Sequence, residues 1–454
     1  MLRKNDIIKL NIGSVTLQGS GVGRHEGLAV FVPMTAAGDE IEAHILKVKS
    51  NCAFAKVHKI INPSPDRTEA DCPAYAKCGG CVFRHISYEA ELEIKEKFCR
   101  DVMKRIGGLD IPCEKIVGSE SRRECRNKAQ FPLEKTADGV KIGFFSPHSH
   151  RVNEARFCPL QPKEFAGILN VFEEYIKRYN VSVYDETAHK GLLRHIYLRK
   201  AAATGEIMVC PVINGKALPE EERLCSMLLG ENGNIKSIII NENREKTNVI
   251  LGGECRTVYG ADYITDELCS LKFRISPLSF YQVNPAGAEK LYEKAAQFAC
   301  PDGGQTLLDL YCGTGTIGLT MAKNAKEVIG VEIIPQAIED AKINAAINGI
   351  ENARFMCADA SEAAKKLESE GVKPDVVILD PPRKGCAKDV LETVAQMAPD
   401  KIVYISCDPA TQARDAAILA GLGYTAEKLC PVDMFPGCGH CESVLQLIRS
   451  DINS

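Results

Sequence analysis

The sequence places a cysteine where a catalytic nucleophile would be expected, at the end of a short apolar run. Ile402-Val403-Tyr404-Ile405 predicts a buried strand that leads into Ser406-Cys407-Asp408-Pro409. In open α/β sheets, the residues that follow the carboxyl ends of the strands form the binding crevice. The chain has 20 cysteines, and a buried thiol usually only fills space. The position of Cys407, together with the cofactor signals below, nevertheless predicts a nucleophile.

A carboxylate near the C-terminus is the candidate partner of this thiol. Glu442 follows Gly439-His440-Cys441 and opens a final apolar strand, Val444-Leu445-Gln446-Leu447-Ile448. A carboxylate that faces Cys407 across the same sheet edge would serve as a general base. Taken alone, Glu442 is better explained as a solvated strand end, so its assignment depends on that of Cys407.

A glycine-rich turn between a strand and a helix predicts a cofactor site in the same half of the chain. The strand Thr306-Leu307-Leu308-Asp309-Leu310 runs into a turn that contains Gly313, Gly315 and Gly318, which fits a dinucleotide-binding fingerprint. A second strand ends in Glu332, and an acid at this point accepts hydrogen bonds from ribose hydroxyls. NAD and S-adenosylmethionine share that adenosine, so a nicotinamide enzyme and a methyltransferase both remain open.

Two further strands end in acids that belong to the same predicted edge. The third strand leads to Asp359, placed to meet the edge of an adenine, and the fourth ends in Asp380-Pro381-Pro382-Arg383. Amino-methyltransferases of DNA and RNA have a similar rigid turn, in which an acid and prolines follow the strand and an aromatic residue follows the prolines. Arg383 in that place argues against methylation of an exocyclic amine, and no residue suggests a hydride acceptor.

Four cysteines have spacing that is typical of a metal site. Cys72, Cys78 and Cys81 are separated by five and two residues, and Cys158 lies in Phe157-Cys158-Pro159. Four thiolates suit a [4Fe-4S] cluster or a structural zinc ion. Zinc sites more often use two pairs of closely spaced ligands, so three closely spaced cysteines with one distant cysteine favour the iron–sulfur cluster. Free thiols are the third alternative.

These residues are distributed over three predicted domains. Residues 1–60 contain short alternating strands with glycine punctuation, which predict a small OB-like β-barrel. Residues 61–280 form an α+β central domain that carries the four cysteines, and a helix over 88–106 would pack on the catalytic domain. Residues 281–454 alternate strands and helices, which predicts an α/β domain with a Rossmann-like parallel sheet.

Composition restricts the partners more than it identifies them. The net charge of −4 does not point to nucleic acid as a strongly basic chain would, so any RNA surface must be local. The candidate is Arg122-Arg123-Glu124-Cys125-Arg126-Asn127-Lys128, with a solvated strand face as the alternative. No apolar run is long enough to span a bilayer, and a long chain with clustered cysteines favours a reducing cytoplasm over a disulfide scaffold.

The combination of motifs resembles the RNA 5-methyluridine methyltransferases. The resemblance covers almost the whole chain: the N-terminal barrel as a TRAM domain, the spaced cysteines, Ser406-Cys407-Asp408-Pro409 and His440-Cys441-Glu442 in a class I methyltransferase domain. A TRAM barrel with four cysteines is most similar to the bacterial 23S rRNA (uracil-5)-methyltransferases, whereas the tRNA branch is expected to lack both. The resemblance therefore implies C5-methylation of uridine in 23S rRNA, by a monomer that binds neither DNA nor membranes.

The resemblance also assigns roles to individual residues. Cys407 becomes the nucleophile and Glu442 the general base, and the cluster ligands become Cys72, Cys78, Cys81 and Cys158. The implied contacts of S-adenosylmethionine are Gln282, Tyr311, Gly313, Thr316, Glu332, Asp359 and Asp380. The chain departs from the family at Thr316, where Asn is common, and at Cys438, where Thr is expected. Alternative functions are tRNA uridine methylation, a non-catalytic iron–sulfur RNA-binding assembly factor, and the nicotinamide enzyme.

Overall fold

The computed structural model describes residues 2–137, 139–147 and 149–450, and it begins with a closed barrel. Its strands are β1 (Ile7–Val15), β2 (Ser20–His25), β3 (Leu28–Pro33), β4 (Glu40–Val48) and β5 (Cys52–Asn62). They pair in the order β1-β2-β3-β5-β4. Alternate side chains such as Leu10, Ile12 and Ile41 point inward and fill the barrel core. The predicted OB-like barrel is confirmed.

A long helix connects residues 72–82, which contain Cys72, Cys78 and Cys81 and are called the cysteine segment below, to the C-terminal half of the chain. Helix α1 (Tyr88–Arg105) begins after Ser87, whose hydroxyl accepts a hydrogen bond from the amide of Ala90 at 3.2 Å. Its buried residues Cys99 and Met103 belong to the same hydrophobic core as Leu445 of the last strand. The helix therefore lies against the catalytic half, as its apolar spacing led us to expect.

The central region is built on a seven-stranded mixed sheet. Its elements are β6 (Lys128–Thr136), β7 (Gly139–Phe145), β8 (Val152–Glu154), α2 (Glu164–Arg178), β9 (Leu193–Lys200), β10 (Ile207–Ile213), α3 (Glu221–Glu231), β11 (Ile235–Glu242) and β12 (Glu254–Gly260). The strand order is β12-β11-β10-β9-β6-β7-β8, and only β10 and β11 run parallel. Helices α2 and α3 pack on one face of this sheet.

The other face of the central sheet shares a core with the C-terminal half. Tyr197 and Met208 from the sheet pack with Phe273 of a hairpin, β13 (Ile264–Leu268) and β14 (Leu271–Ile275), and with Leu291 of α4 (Pro285–Ala299). The boundary that we drew between residues 280 and 281 therefore crosses a continuous hydrophobic core.

The C-terminal sheet has the strand order β17-β16-β15-β18-β19-β21-β20. Its elements are β15 (Thr306–Leu310), α5 (Thr316–Met321), a 3-10 helix (Ala322–Asn324), β16 (Glu327–Glu332), α6 (Pro335–Ile347), β17 (Ala353–Cys357), α7 (Ala360–Ser369), β18 (Val376–Leu379), α8 (Lys388–Gln396), β19 (Lys401–Ser406), α9 (Pro409–Gly421), β20 (Tyr424–Val432) and β21 (Glu442–Arg449). Helices α4 to α6 cover one face, and α1 with α7 to α9 cover the other. This is the predicted Rossmann-like sheet.

The topology fixes where a binding crevice must lie. From β15 the chain first builds outward through β16 and β17, then crosses to β18 on the other side. The carboxyl ends of β15 and β18 thus form the switch point at which open α/β sheets bind ligands. In the described part of the chain, no helix is both long and apolar enough to cross a membrane.

Candidate active site

The predicted chemical residues lie along one edge of the C-terminal sheet. At or just beyond the strand ends, in sheet order, stand Asp359, Glu332, Tyr311, Asp380, Cys407 and Glu442. Strands β15 to β19 are parallel, whereas β21 runs antiparallel to β19. Because of that reversal, the first residue of β21 meets the same edge as the last residues of the parallel strands. The sheet therefore collects residues that are far apart in sequence.

Cys407 lies in the two-residue link between β19 and α9. The side chain of Asp408 caps the helix by accepting a hydrogen bond from the amide of Ala410 at 3.0 Å, and the Ser406 hydroxyl accepts one from the amide of Asp408 at 3.1 Å. The Cys407 side chain is half-buried. Burial raises the pKa of its thiol to about 11, and Glu442 adds to the rise. At neutral pH the resting group is therefore a thiol.

Glu442 faces Cys407 across the pairing of β19 with β21. Ser406 of β19 lies opposite Ser443 of β21 in this antiparallel ladder. The next residue toward the edge is therefore Cys407 on β19 and Glu442 on β21. The side chain of Glu442 is buried, with 6% of the residue exposed. Burial raises the pKa of its carboxyl group to about 8, Asp380 adds to the rise, and Arg383 opposes it.

Asp380 stands between the glycine turn and this pair. It is partly exposed at the sheet edge, yet the protein surrounds its carboxyl group closely enough for burial to raise its pKa to about 7. Asp380 also contributes to the raised pKa values of Cys407 and Glu442. Three acidic groups with raised pKa values in one crevice are typical of a catalytic site.

The glycine turn after β15 leaves open space beside Glu332. Gly313 and Gly315 have φ values of 55° and 81°, which favour glycine. A Cβ at Gly313 would meet nothing within 4 Å, so the backbone of this turn has open space beside it. The carboxylate of Glu332 accepts hydrogen bonds from the amides of Gly313 at 3.2 Å and Ile334 at 3.0 Å. These bonds hold the acid beside the turn with lone pairs left for a ribose.

The remaining predicted cofactor contacts surround this turn. The hydroxyl groups of Thr316 and Tyr292 are 3.0 Å apart, and the side chain of Gln282 also hydrogen-bonds to Tyr292. Tyr311 has a φ of 67° directly after β15. Asp359 caps α7 by accepting a hydrogen bond from the amide of Ser361 at 2.9 Å.

Sequence reasoning missed two features of this site. Asp309, one residue before the end of β15, is 1% exposed, and its Oδ1 atom has no hydrogen-bond partner among the described residues. Burial raises its pKa to about 8. Ile333 and Ile334 are 58% and 54% exposed directly after Glu332. Both features lie on or directly after strands β15 and β16, which lead to Tyr311 and end in Glu332.

The four predicted cluster cysteines converge without forming a ligand set. Burial raises the pKa of the Cys158 thiol, and the nearby Cys72 and Cys78 add to the rise. Cys81 instead lies near Cys438, the residue where the family is expected to have Thr, and this neighbour raises the pKa of the Cys81 thiol. Among the described residues, no three Cys, His, Asp or Glu side chains are close enough to hold a metal ion. The thiol chemistry suits a cluster, but this arrangement does not display one.

The predicted RNA-facing patch is not one exposed surface. Asn127 is 5% exposed and donates a hydrogen bond to the carbonyl of Gln282 at 3.1 Å. A guanidinium N–H of Arg126 donates to the sulfur of Cys438 at 2.8 Å. Arg122 lies 3.2 Å from the buried Glu91.

Only one basic side chain of this segment is strongly exposed. Arg123 has 62% of its side chain exposed and pairs with Asp71 at 2.7 Å, whereas burial lowers the pKa of Lys128 to about 8. The expectation of a continuous patch is therefore corrected: tertiary contacts use most of these cations inside the protein.

A buried ionic network holds the segment that leads to Glu442. The ammonium group of Lys95 lies 2.7 Å from carboxylate oxygens of both Glu91 and Asp433, and all three side chains are 0% exposed. Lys95 also donates to the carbonyl of Phe435 at 3.1 Å, and Glu91 accepts from the amide of Gly437 at 2.6 Å. Helix α1 thus fixes residues 433–441, which we call the base loop.

Comparison with known proteins agrees with this geometry. The family described as tRNA (Uracil-5-)-methyltransferase matches residues 243–450, and the TRAM domain matches residues 4–58. An uncharacterized RNA methyltransferase of Clostridium tetani is 44% identical over 98% of this chain and 96% of its own length. One of Clostridium acetobutylicum is 44% identical over 99% of this chain and 98% of its own length. The chain belongs to the RNA (uracil-5-)-methyltransferase family.

A solved member of this family extends the comparison to three dimensions. The tRNA (uracil-54, C5)-methyltransferase of Pyrococcus abyssi, in complex with S-adenosyl-L-homocysteine, superimposes with a TM-score of 0.78. It is 29% identical and covers 97% of this chain and 100% of its own. Membership of the family makes the chain an RNA methyltransferase. A full-length match to a tRNA enzyme also means that the overall architecture does not by itself distinguish rRNA from tRNA as substrate.

Proposed function

We propose that this protein transfers a methyl group from S-adenosylmethionine to C5 of a uridine in RNA. One observation carries the proposal: Cys407 and Glu442 end facing strands beside a glycine turn, with Asp380 between the turn and the pair. C5 of uracil is a poor nucleophile, so the reaction needs a group that adds to C6 and a base that later removes the proton from C5. A thiol and a carboxylate in one crevice are the groups that this chemistry requires.

Each residue then has a defined task. The Cys407 thiol gives its proton to solvent, its thiolate adds to C6 of the uracil, and the electrons of the C5–C6 double bond move onto O4 as an enolate. S-adenosylmethionine, when bound, supplies the methyl group that C5 receives. Glu442 removes the proton from C5, the C5–C6 double bond forms again, and the C6–S bond breaks to release Cys407. The uridine must leave any base stack to reach this crevice, which favours a target in a loop or single strand.

The cofactor would lie along the glycine turn. Glu332 and Asp359 stand where a ribose and an adenine edge would meet the sheet, and Tyr311, Gly313 and Thr316 line the turn. Gln282 and Asp380 flank the end toward Cys407. The P. abyssi relative was solved with S-adenosyl-L-homocysteine, which supports a sulfonium cofactor over a nicotinamide.

We infer that 23S rRNA is the substrate, with tRNA as the second candidate. The spaced cysteines support 23S rRNA through the resemblance described above. The barrel does not, because a tRNA enzyme matches 97% of this chain, and that match favours tRNA. The test is to incubate the protein with tritium-methyl S-adenosylmethionine and unmodified 23S rRNA or tRNA transcripts, then analyse the nucleosides. Label in 5-methyluridine of 23S rRNA is expected. Label only in tRNA would change the substrate, and no label in either would refute the function.

The covalent step has its own test, which uses 5-fluorouridine in the target RNA. Fluorine on C5 cannot be removed as a proton, so wild-type protein should accumulate a denaturation-stable RNA adduct after methyl transfer. Cys407→Ala should form no adduct while it still binds S-adenosylmethionine. With ordinary RNA, Glu442→Gln should accumulate the adduct that wild type resolves. An adduct on Cys407→Ala would mean that another residue is the nucleophile.

The iron–sulfur cluster is a separate prediction. Cys72, Cys78, Cys81 and Cys158 remain the proposed ligands, on the proximity of Cys158 to Cys72 and Cys78 and on the thiol donor set. Iron, sulfide and zinc analysis of protein purified without oxygen tests this. Four irons and four sulfides per chain are expected from the [4Fe-4S] assignment. Zinc without iron would replace the cluster with a structural zinc site. If neither iron nor zinc is found, both metal assignments are wrong.

A further inference from the structure

A groove of about 700 Å³ lies on the central region beside the cysteine segment. One wall is formed by residues 73–77, and the other by residues 151–157 with Lys141 of β7. The side-chain amide of Asn153 joins the two walls, because it donates to the carbonyl of Lys77 at 2.7 Å and to the hydroxyl of Ser146 at 2.8 Å. The shape of the groove is therefore set before any ligand arrives.

Three cations line this groove without a counterion. In the described residues, the side chains of Lys77, Lys141 and Arg151 form no ion pair with a carboxylate. Glu134 stands directly across from Lys141 on β6, but the amide of Val152 holds its carboxylate at 2.7 Å, so this negative charge forms no ion pair with Lys141 and offsets only part of the positive charge. The positive charge of the groove is thus available to an anionic ligand.

The other charges on the groove compensate one another. Arg156 lies 2.8 Å from Glu154 and 2.8 Å from Glu173, so its charge is already paired within the protein. The whole chain has a net charge of −4. A group of unpaired cations around one concave surface is therefore a local feature that the composition of the chain does not explain.

An aromatic side chain completes the groove. Phe157 is 77% exposed, which is the largest value for a large hydrophobic residue in the described part of the chain. Burial is the normal state of phenylalanine, so this ring is held in water beside the cations. Cations that follow a backbone and an aromatic ring that stacks on a base are the parts of a single-strand nucleic-acid site.

We propose that this groove binds single-stranded RNA next to the target uridine. The proposal rests on the proposed function, and it names a surface for the RNA that the function requires. Position supports it, because the cysteine segment that forms one wall also touches the base loop. The amide of Val82 donates to the carbonyl of Gly437 at 2.7 Å, and the thiol of Cys438 donates to the carbonyl of Gly80 at 2.9 Å. RNA leaving the crevice would cross this segment into the groove.

Binding of fluorescein-labelled oligouridylate of about twelve nucleotides to the full-length protein tests the groove directly. Phe157→Ala should weaken binding about 5- to 100-fold through lost stacking and leave the salt dependence unchanged. The double variant Lys77→Gln/Arg151→Gln should lower the slope of log Kd against log salt by about 1.4, since a contact to a single strand contributes about 0.7. With the RNA that the enzyme methylates, both variants should raise KM and leave kcat unchanged.

The matched control removes the same two charges elsewhere on the central region. Lys216 and Arg223 are exposed near α3, which packs toward the opposite edge of the sheet, so Lys216→Gln/Arg223→Gln should bind as wild type does. Equal losses in the control and groove variants would overturn the proposal. If the groove variants bind RNA as wild type does but no longer bind polyglutamate, the groove would belong to an acidic protein ligand, and the RNA proposal would also be overturned. Oligouridylate binding is read without turnover, so the groove is tested even if no RNA is methylated.

Discussion

Removal of Lys95 should be among the most damaging single substitutions in this chain. Its ammonium group makes two buried ion pairs at 2.7 Å, with Glu91 and Asp433, and a hydrogen bond to the Phe435 carbonyl at 3.1 Å. Burial opposes the charge on Lys95, but the two carboxylates outweigh it and raise the pKa of the lysine. Lys95 is therefore charged at all pH values at which the protein is handled, and both carboxylates depend on it.

The substitution Lys95→Met keeps the length of the side chain, takes from the buried Asp433 its cation, and leaves Glu91 with the partly exposed Arg122 at 3.2 Å. Breaking a buried pair in this way costs about 3–5 kcal/mol of unfolding free energy. For 454 residues that unfold together, an entropy of about 2.1 cal/mol/K per residue gives about 1 °C per kcal/mol, so the melting temperature should fall by about 3–5 °C. Carboxylates stranded by burial have a higher pKa in the folded protein than in the unfolded chain. The deficit should therefore be smaller at pH 5 than at pH 8, because protonation favours the folded state.

Thermal unfolding of wild type, Lys95→Met and Lys97→Met at both pH values measures this. Lys97 is exposed on the same helix, so its variant controls for loss of a lysine and should melt within about 1 °C of wild type. The variant Glu91→Gln/Lys95→Met/Asp433→Asn removes the stranded charges and should recover part of the loss. Equal melting temperatures for the Lys95 and Lys97 variants, or a deficit that grows on acidification, would refute the reasoning.

Three further predictions concern the crevice. Asp309→Asn should raise the melting temperature at pH 9 and leave it unchanged at pH 4, because burial raises the pKa of Asp309 to about 8 and its ionisation costs folded stability; equal effects at both pH values would contradict this. Alkylation of Cys407 should accelerate about tenfold per pH unit toward its pKa of about 11, and Glu442→Gln should accelerate it further at pH 9 by removing a neighbouring charge; peptide mass spectrometry gives the rate. Arg383→Gln should shift the pH profile of methylation upward, because Arg383 lowers the pKa of both Cys407 and Glu442; an unchanged profile would remove Arg383 from the site.

The sequence predicted the edge of the sheet well because local signals determine it. The strand that ends at Leu310 was predicted with the bounds that the structure has, and Glu332, Asp380 and Cys407 lie at the strand ends where the apolar runs stop. Apolar runs of four to eight residues followed by Gly, Pro or Asp identify both the strand and its end. When the strands are parallel, their ends meet at one edge without any further information.

The basic segment at residues 122–128 was misjudged because the residue types do not show whether a side chain points to solvent or into the protein. Arg122 and Arg126 point into the protein, where the partners are Glu91 and the sulfur of Cys438. Those partners are 31 and 312 residues away in sequence, so no local pattern contains them. Three unpaired cations line the groove near Phe157, namely Lys77, Lys141 and Arg151, and their spacing in sequence has no periodicity that could have revealed them.

The order of the pKa values in the crevice agrees with the direction of the proposed reaction. With values of about 7 for Asp380, 8 for Glu442 and 11 for Cys407, the thiol is the last of the three to ionise. A thiolate formed in this crevice is a strong base and a strong nucleophile, which favours addition to C6. A carboxyl group of pKa about 8 holds a proton far better than an exposed one, so Glu442 is suited to keep the proton that it takes from C5. It must then pass that proton to solvent before the next turnover, and below pH 8 the ionised fraction of Glu442 that can act as the base falls about tenfold per pH unit.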